Sequence, residues 1–268
     1  MPTLPFVKMH GAGNDFIMID GRDLEAAPLD AAIIGSLCTR RTGIGADGLI
    51  IVSQEAPDAV RMNYHNADGQ EADMCGNGAR CTAAFAHGRG LIGRDGELLT
   101  RRGPLPATIH GPNDVEVGLP AFSDLNLEIP LPGSAYAAHH HCNTGVPHLV
   151  IPVDDVDDVP VEQHGPPLRN APQFAPAGIN VNWISPGGGV GEWRLRTYER
   201  GVEAETLACG TGASACAVVL VRIGLAASPV SIRTRGGDLL RVGVDLETGG
   251  LLLRGPTMVA YHGEVEHG

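Results

Sequence analysis

The chain reads as an α+β protein, and three features of its pattern predict that class. Short apolar runs closed by Gly, Pro, Asn or Asp dominate the 268 residues, only three segments carry a helical pattern, and those segments do not alternate strictly with the runs. FIMID (16–20), GLIIVS (48–53), VRMNYH (60–65), VEVGL (115–119), HLVIPV (148–153), INVNWI (179–184), WRLRTY (193–198), VSIRTR (230–235) and LLRVGV (239–244) predict strands. Thirty-seven glycines and twenty prolines supply the turns between them. The first predicted helix, LDAAIIGSLCTR (29–40), begins after Pro28 and stops before Gly43. The other two, GNGARCTAAFAHG and GTGASACAVVLVRIG, end at Gly88 and Gly224, residues suited to a helix C-terminal cap. The Pro- and acid-rich stretches 120–134 and 154–178 predict little regular structure.

One short element occurs twice. MCGNGARC (74–81) returns as ACGTGASAC (208–216), each time at the start of an apolar helix and with strands before and after it. The doubling places a boundary near 118–122. It predicts an N-terminal lobe, 1–118, on which the tail 256–268 packs, and a C-terminal lobe, 119–255. A helix start offers unpaired backbone N–H groups and the positive end of the helix dipole, so a cysteine there is favoured as thiolate. The glycines that follow let the backbone approach a carboxylate closely. Two such cysteines suit inversion of a carbon centre, in which one group removes a proton from one face and another delivers a proton to the opposite face. Cys75 and Cys209 are therefore the candidate acid–base pair of a racemase or epimerase, whereas Cys38, Cys81, Cys142 and Cys216 are expected to be core residues.

Composition excludes several other classes. Thirty-one acidic against nineteen basic residues give a net charge of −12, which disfavours nucleic acid and anionic membranes as partners. Aromatic residues make up only 4%, too few for base-stacking surfaces, while 43% hydrophobic residues support a sizeable core. The stretch MPTLPFVKMHGAGND has no long apolar run, and CAVVLV (216–221) is stopped by Arg222. Together with six cysteines that do not resemble a disulfide framework, this predicts a soluble protein with reduced thiols in the cytoplasm. GIGADG (43–48) fits a dinucleotide fingerprint in letters only, because no strand precedes it. HHHC (139–142) would point neighbouring side chains to opposite faces of a strand, so it predicts a solvated strand end and no metal site. A thiol–disulfide redox protein or a catalytically silent binding protein is a rival reading; the absence of a C-x-x-C motif weighs against the redox form.

KMHGAGNDF (8–16), RRTGIGADG (40–48), NADGQEADMCGNGARC (66–81), YERGVEAETLACGTGASA (198–215) and GPTMVAYHGEV (255–265) resemble, in order, the blocks of the diaminopimelate epimerases. The resemblance implies two similar α+β lobes, each a sheet wrapped around a central helix, with the active site between them. It also implies a homodimeric enzyme that interconverts LL- and meso-diaminopimelate without PLP or metal, in lysine and peptidoglycan biosynthesis. Carried over residue by residue, it makes Cys75 and Cys209 the thiolate/thiol pair and Asn14, Asn66 and Asn180 substrate-binding residues. Gly76–Asn77 and Gly210–Thr211 become the helix starts that hold the reacting carboxylate. Glu199–Arg200 recognise the charged groups of the substrate, and His148 and Glu199 tune the thiols. Some family members carry Gln at the place of Gly48 and Asn at that of Val146, and the ERGVEAET loop is one residue longer than the form found in some relatives. These departures keep open the same two-cysteine chemistry on a histidine- or proline-type amino acid.

Overall fold

The computed structural model describes residues 3–24 and 29–266. In chain order its elements are β1 (Thr3–Gly11), β2 (Asn14–Asp20), α1 (Ala31–Cys38), β3 (Gly48–Ala56), β4 (Ala59–Asn66), α2 (Gly76–Gly88), β5 (Asp95–Thr100), β6 (Gly103–Gly111) and β7 (Asp114–Leu119). There follow β8 (Ser123–Asn126), β9 (His140–Asn143), β10 (Pro147–Pro152), α3 (Val161–Arg169), β11 (Asn180–Pro186), β12 (Glu192–Glu199), β13 (Ala204–Thr206) and α4 (Gly210–Arg222). β14 (Val230–Arg233), β15 (Leu239–Val244), β16 (Leu251–Pro256) and β17 (Met258–Glu266) complete the chain. Two compact units result, Met1–Val117 with Gly255–Gly268, and Gly118–Arg254.

In the first unit the strands lie in the order β17–β1–β2–β3–β4–β5–β6–β7, with β2–β3 and β4–β5 parallel and the other pairs antiparallel. The two parallel steps are the ones that need a crossover, and α1 and α2 supply them. α2 packs against strands β1 to β6 and is buried on nearly every side from Gly76 to Ala86. Its Gly, Ala, Cys and Thr side chains are small enough for a sheet to close around it, as a helix without a polar face requires. On the other sheet face, Ile34, Leu37 and Cys38 of α1 join Leu4, Phe6, Ile17, Ile19 and Leu49 in a buried cluster. Asp30 caps α1 by accepting from the Ile33 N–H at 2.8 Å, a contact worth about 1 kcal/mol. The helix is thus shorter than the predicted 29–40, and Pro28 lies outside the described residues.

The second unit repeats this plan with its own sequence. Its order is β8–β9–β10–β11–β12–β14–β15–β16, again with two parallel steps, β10–β11 and β12–β14. α4 is wrapped by β9, β10, β11, β14 and β15, and α3 covers the opposite face through Val161 and Leu168, packed with Trp183, Val181 and Tyr198. α3 corrects the expectation of an irregular 154–178. Pro166 and Pro167 conceal a helix from sequence reading, and Gly165 has no room for a Cβ beside the Tyr198 ring. β8 likewise falls within 120–134, a stretch expected to be irregular. HHHC is another correction. His139 and His140 are each only 4% exposed, and β9, which starts at His140, is an inner strand paired with both β8 and β10. At the end of α2 the left-handed glycine is Gly90 (φ 68°), not Gly88, whereas Gly224 (φ 76°) closes α4 as expected.

Candidate active site

In the first unit the chain leaves β4 at Asn66, turns back through Gly69 and arrives at Cys75, the N-cap residue of α2, in extended conformation (φ −136°, ψ 123°). The Cys75 Sγ donates to Asn14 Oδ1 at 3.4 Å, and Asn77 Nδ2 donates to the same oxygen at 3.4 Å. Asn14 cannot turn its amide round, since its Nδ2 donates to Asp47 Oδ2 at 2.7 Å. Arg80, fully buried, donates to Asn77 Oδ1 at 2.8 Å and to Gly76 O at 3.3 Å, tying down the first turn of the helix. Asp47 is held in turn by Arg40 (2.8 Å), which also grips Asp15 together with Lys8, each at 2.6 Å. Burial opposes ionisation of Asp15, but the hydrogen bonds from Arg40 and Lys8 win and hold its carboxyl at about 2. Asn66 is exposed and faces Gly48 across β3–β4. A Cβ at Gly48 would lie 2.5 Å from His65 O and 2.6 Å from the Tyr64 ring, which explains why this chain carries no side chain there.

In the second unit Cys209 caps α4 in the same extended conformation (φ −125°, ψ 106°) and is 6% exposed. Here the sulfur is on the receiving side, because the Gly212 N–H donates to Sγ at 3.4 Å. Thr211 Oγ1 lies 3.5 Å from the same sulfur, and Thr144 Oγ1 donates to Thr211 O at 2.9 Å. Asn180 is engaged at both ends of its amide: Nδ2 donates to Pro147 O (3.0 Å), and Oδ1 accepts from the Arg200 N–H (2.9 Å). This bond joins Asn180 to the Glu199–Arg200 pair, half-buried at the end of β12. His148 is wholly buried. Burial, reinforced by the charges of Arg200 and His141, pushes its pKa down to about 3, so the ring is neutral at physiological pH.

Asn14, Gly76 and Asn77 thus gather around Cys75, and Gly210 and Thr211 around Cys209, while Asn180 and Arg200 meet each other. Sequence reasoning missed Asp47, Arg80, Asn182 and Thr197. The last two were visible only as polar letters inside runs that otherwise read as buried strands. Cys38, Cys81, Cys142 and Cys216 are buried, and burial pushes the thiols of Cys81 and Cys142 up to about 12. The HHHC histidines point to separate protein partners, His139 to Ser134 Oγ, His140 to the Glu128 N–H and His141 to Asp124 O.

Known proteins agree with this architecture. The family model described as diaminopimelate epimerase matches residues 6–122 and 141–248. The diaminopimelate epimerase of Hydrogenobaculum sp. (strain Y04AAS1) is 39% identical over 274 residues, covering 97% of this chain and 98% of that protein. That of Gemmatimonas aurantiaca is 41% identical over 281 residues, covering 98% and 99%. Among solved structures, a phenazine biosynthesis protein of the PhzF family from Bacillus anthracis superposes with a TM-score of 0.76 at 14% identity, covering 100% of both chains. A probable proline racemase from Agrobacterium radiobacter K84 gives a TM-score of 0.71 at 15% identity, covering 98% of this chain and 93% of the other. At such low identity, these two structures bear on the fold alone.

Proposed function

The chain belongs to the diaminopimelate epimerase family, and we propose on that premise that it is an isomerase interconverting LL- and meso-diaminopimelate with a thiolate/thiol pair. The observation that carries the two-thiol reading is that each cysteine is the N-cap residue of a buried helix, in the same extended conformation. Cys75 donates to Asn14 Oδ1, and Cys209 accepts the Gly212 N–H and lies beside the Thr211 hydroxyl. In one direction Cys209 takes the α-proton and Cys75 returns one to the opposite face; in the other direction the roles exchange. The α-carboxylate, whose charge grows as the carbanion forms, is held by the N–H groups at the starts of α2 and α4, at Gly76–Asn77 and Gly210–Thr211. Asn14, Asn66 and Asn180 bind the zwitterionic ends, and Arg200 offers a guanidinium fork to the distal carboxylate beside Glu199. His148 and Glu199 tune the thiols. Both proton transfers are supplied by the thiols, so the reaction is written without a cofactor. The enzyme acts as a homodimer in the cytoplasm. No helix among the described residues is long and apolar enough to cross a membrane.

The test is incubation of the reduced protein with LL-diaminopimelate in D₂O, following α-deuterium incorporation and the appearance of the meso isomer. Exchange with inversion is expected. Failure with this substrate, alongside exchange of a histidine- or proline-type amino acid, would overturn the substrate assignment and leave the thiol chemistry standing.

A further inference from the structure

Three buried polar side chains lie behind Cys209 in a chain of hydrogen bonds. Thr197 Oγ1 donates to Asn182 Oδ1 at 3.0 Å, and Asn182 Nδ2 donates to Leu149 O at 3.0 Å while lying 3.1 Å from His148 Nδ1. His148 and Asn182 are 0% exposed and Thr197 is 2% exposed. The Leu149 carbonyl decides how the amide is oriented. A backbone carbonyl only accepts, so the NH₂ of Asn182 must face it, and the same NH₂ then meets His148 Nδ1. Nδ1 is therefore an acceptor without a proton, and in a neutral ring the proton sits on Nε2. That Nε2 is buried and has no hydrogen-bond partner among the described residues. An unmatched buried donor is costly to keep, so its retention needs a reason.

The first unit supplies an internal control. Phe16 faces Gly48 across β2–β3 as His148 faces Asn180 across β10–β11. Ile50 faces Tyr64 across β3–β4 as Asn182 faces Thr197 across β11–β12. Third after each cysteine, Gly78 abuts Ile50 Cδ1 (3.0 Å) and Phe16 Cζ (3.4 Å) at its would-be Cβ, and Gly212 abuts the Asn182 amide. The same three places are thus Phe–Ile–Tyr in one unit and His–Asn–Thr in the other. The fold is satisfied by the largely apolar set, so the polar set is there for chemistry.

We propose that Asn182, oriented by Thr197 and Leu149, is a positioning residue that locks His148 as the neutral Nε2–H tautomer, a hydrogen-bond donor reserved for an anion formed or bound during turnover, thiolate or carboxylate. His148 then donates and does not take a proton. The proposal rests on the epimerase reading for its catalytic meaning, but the tautomer itself does not depend on the substrate. The charged and titratable groups that act on the ring are Arg200 from the end of β12 and His141 from β9. Neither offers Nδ1 a proton donor in place of the Asn182 amide.

The experiment is ¹⁵N NMR of His148 in the full-length, substrate-free protein from pH 8 to pH 5, with a His148→Phe variant for assignment. The expected result is an unprotonated Nδ1 and a protonated Nε2 throughout. An Nδ1–H tautomer, or titration to imidazolium within that range, overturns the proposal. Asn182→Leu removes the lock, and a branched side chain should fit because Ile50 occupies the matching place. It should give mixed tautomers and a kcat at least ~10-fold lower with little change in KM. Asn182→Asp, once ionised, can only accept, so it should invert the ring to Nδ1–H. Retention of the Nε2–H signature in both variants would also overturn the proposal. With LL-diaminopimelate bound, the Nε2–H resonance should shift downfield while Nδ1 stays unprotonated; a doubly protonated ring would make His148 a base and refute the donor role. An intact lock without epimerase activity would count against the functional reading alone, and activity without the lock against this inference alone.

Discussion

The two units share a strand order, two crossovers and a cysteine at the head of a buried helix, yet the floors beneath their cysteines differ. Under Cys75 lie Phe16 and Ile50, both fully buried hydrophobics; the matching residues near Cys209 are His148 and Asn182, equally buried and polar. Burying an amide and an imidazole without full compensation costs free energy that an aliphatic and a phenyl ring do not cost. The difference teaches that the repeated architecture is set by shape and small-residue spacing around α2 and α4. The polar content of each floor is free to vary with the task. The partner at sulfur varies with it: a fixed asparagine at Cys75, the helix backbone and the Thr211 hydroxyl at Cys209.

Replacing either sulfur tests whether the two halves are equal partners. Cys75→Ala and Cys209→Ala should each lower the rate of epimerisation by roughly 10²–10⁴-fold, the usual worth of a general acid or base. Full turnover by either variant would show that one thiol suffices. A smaller but decisive effect is expected from giving the first unit the floor of the second. Ile50→Asn places an amide among Phe16, Met62 and α2, with Tyr64 standing where Thr197 does in the second unit, and should cost about 3 kcal/mol in urea denaturation. A cost near zero would mean that the apolar floor is not needed in that unit.

Adding one methyl to each helix start separates the floors again. Gly212→Ala drives a Cβ into the pinned Asn182 amide and to 3.2 Å from Cys209 Sγ, whereas Gly78→Ala meets only the movable ends of Ile50, Met62 and Phe16 at 3.0–3.4 Å. Gly212→Ala should lose about 2 kcal/mol, and Gly78→Ala less than about 1, since alanine also favours the helix. Equal losses would contradict the claim that only one floor is rigid. The remaining effect is one of pH. The folded-state pKa of His148, about 3, lies below the unfolded value of about 6.5, so the folded state binds fewer protons between those limits. Its contribution to stability is complete above about pH 6.5 and is lost as pH falls towards 3. His148→Phe, which copies Phe16, should flatten that decline when denaturation midpoints are compared between pH 7 and pH 4; parallel curves for the two proteins would refute it.

The nine predicted strands and three predicted helices all exist, because apolar runs and glycine caps are local signals. The strands that went unread show what local signals lack. β6 carries Pro104 and Pro106, β17 is exposed along much of its length, and β9 hides the buried His140 behind polar letters. α3 was concealed by its prolines, although the repeat could have located it. A helix stands between FIMID and GLIIVS, so one was due between HLVIPV and INVNWI.

The sequence by itself determined the α+β class, the duplication and the two catalytic candidates, because a cysteine followed by Gly-x-Gly-Ala states its position at a helix start within a few residues. Tertiary structure alone decided what each cysteine is bonded to and which polar side chains stand behind it. Asn14 reaches Cys75 from 61 residues away, and Asn182 reaches His148 from 34. Contacts of that span follow from strand register and crossover geometry, which set which side chains meet and leave no mark in the local pattern of either segment.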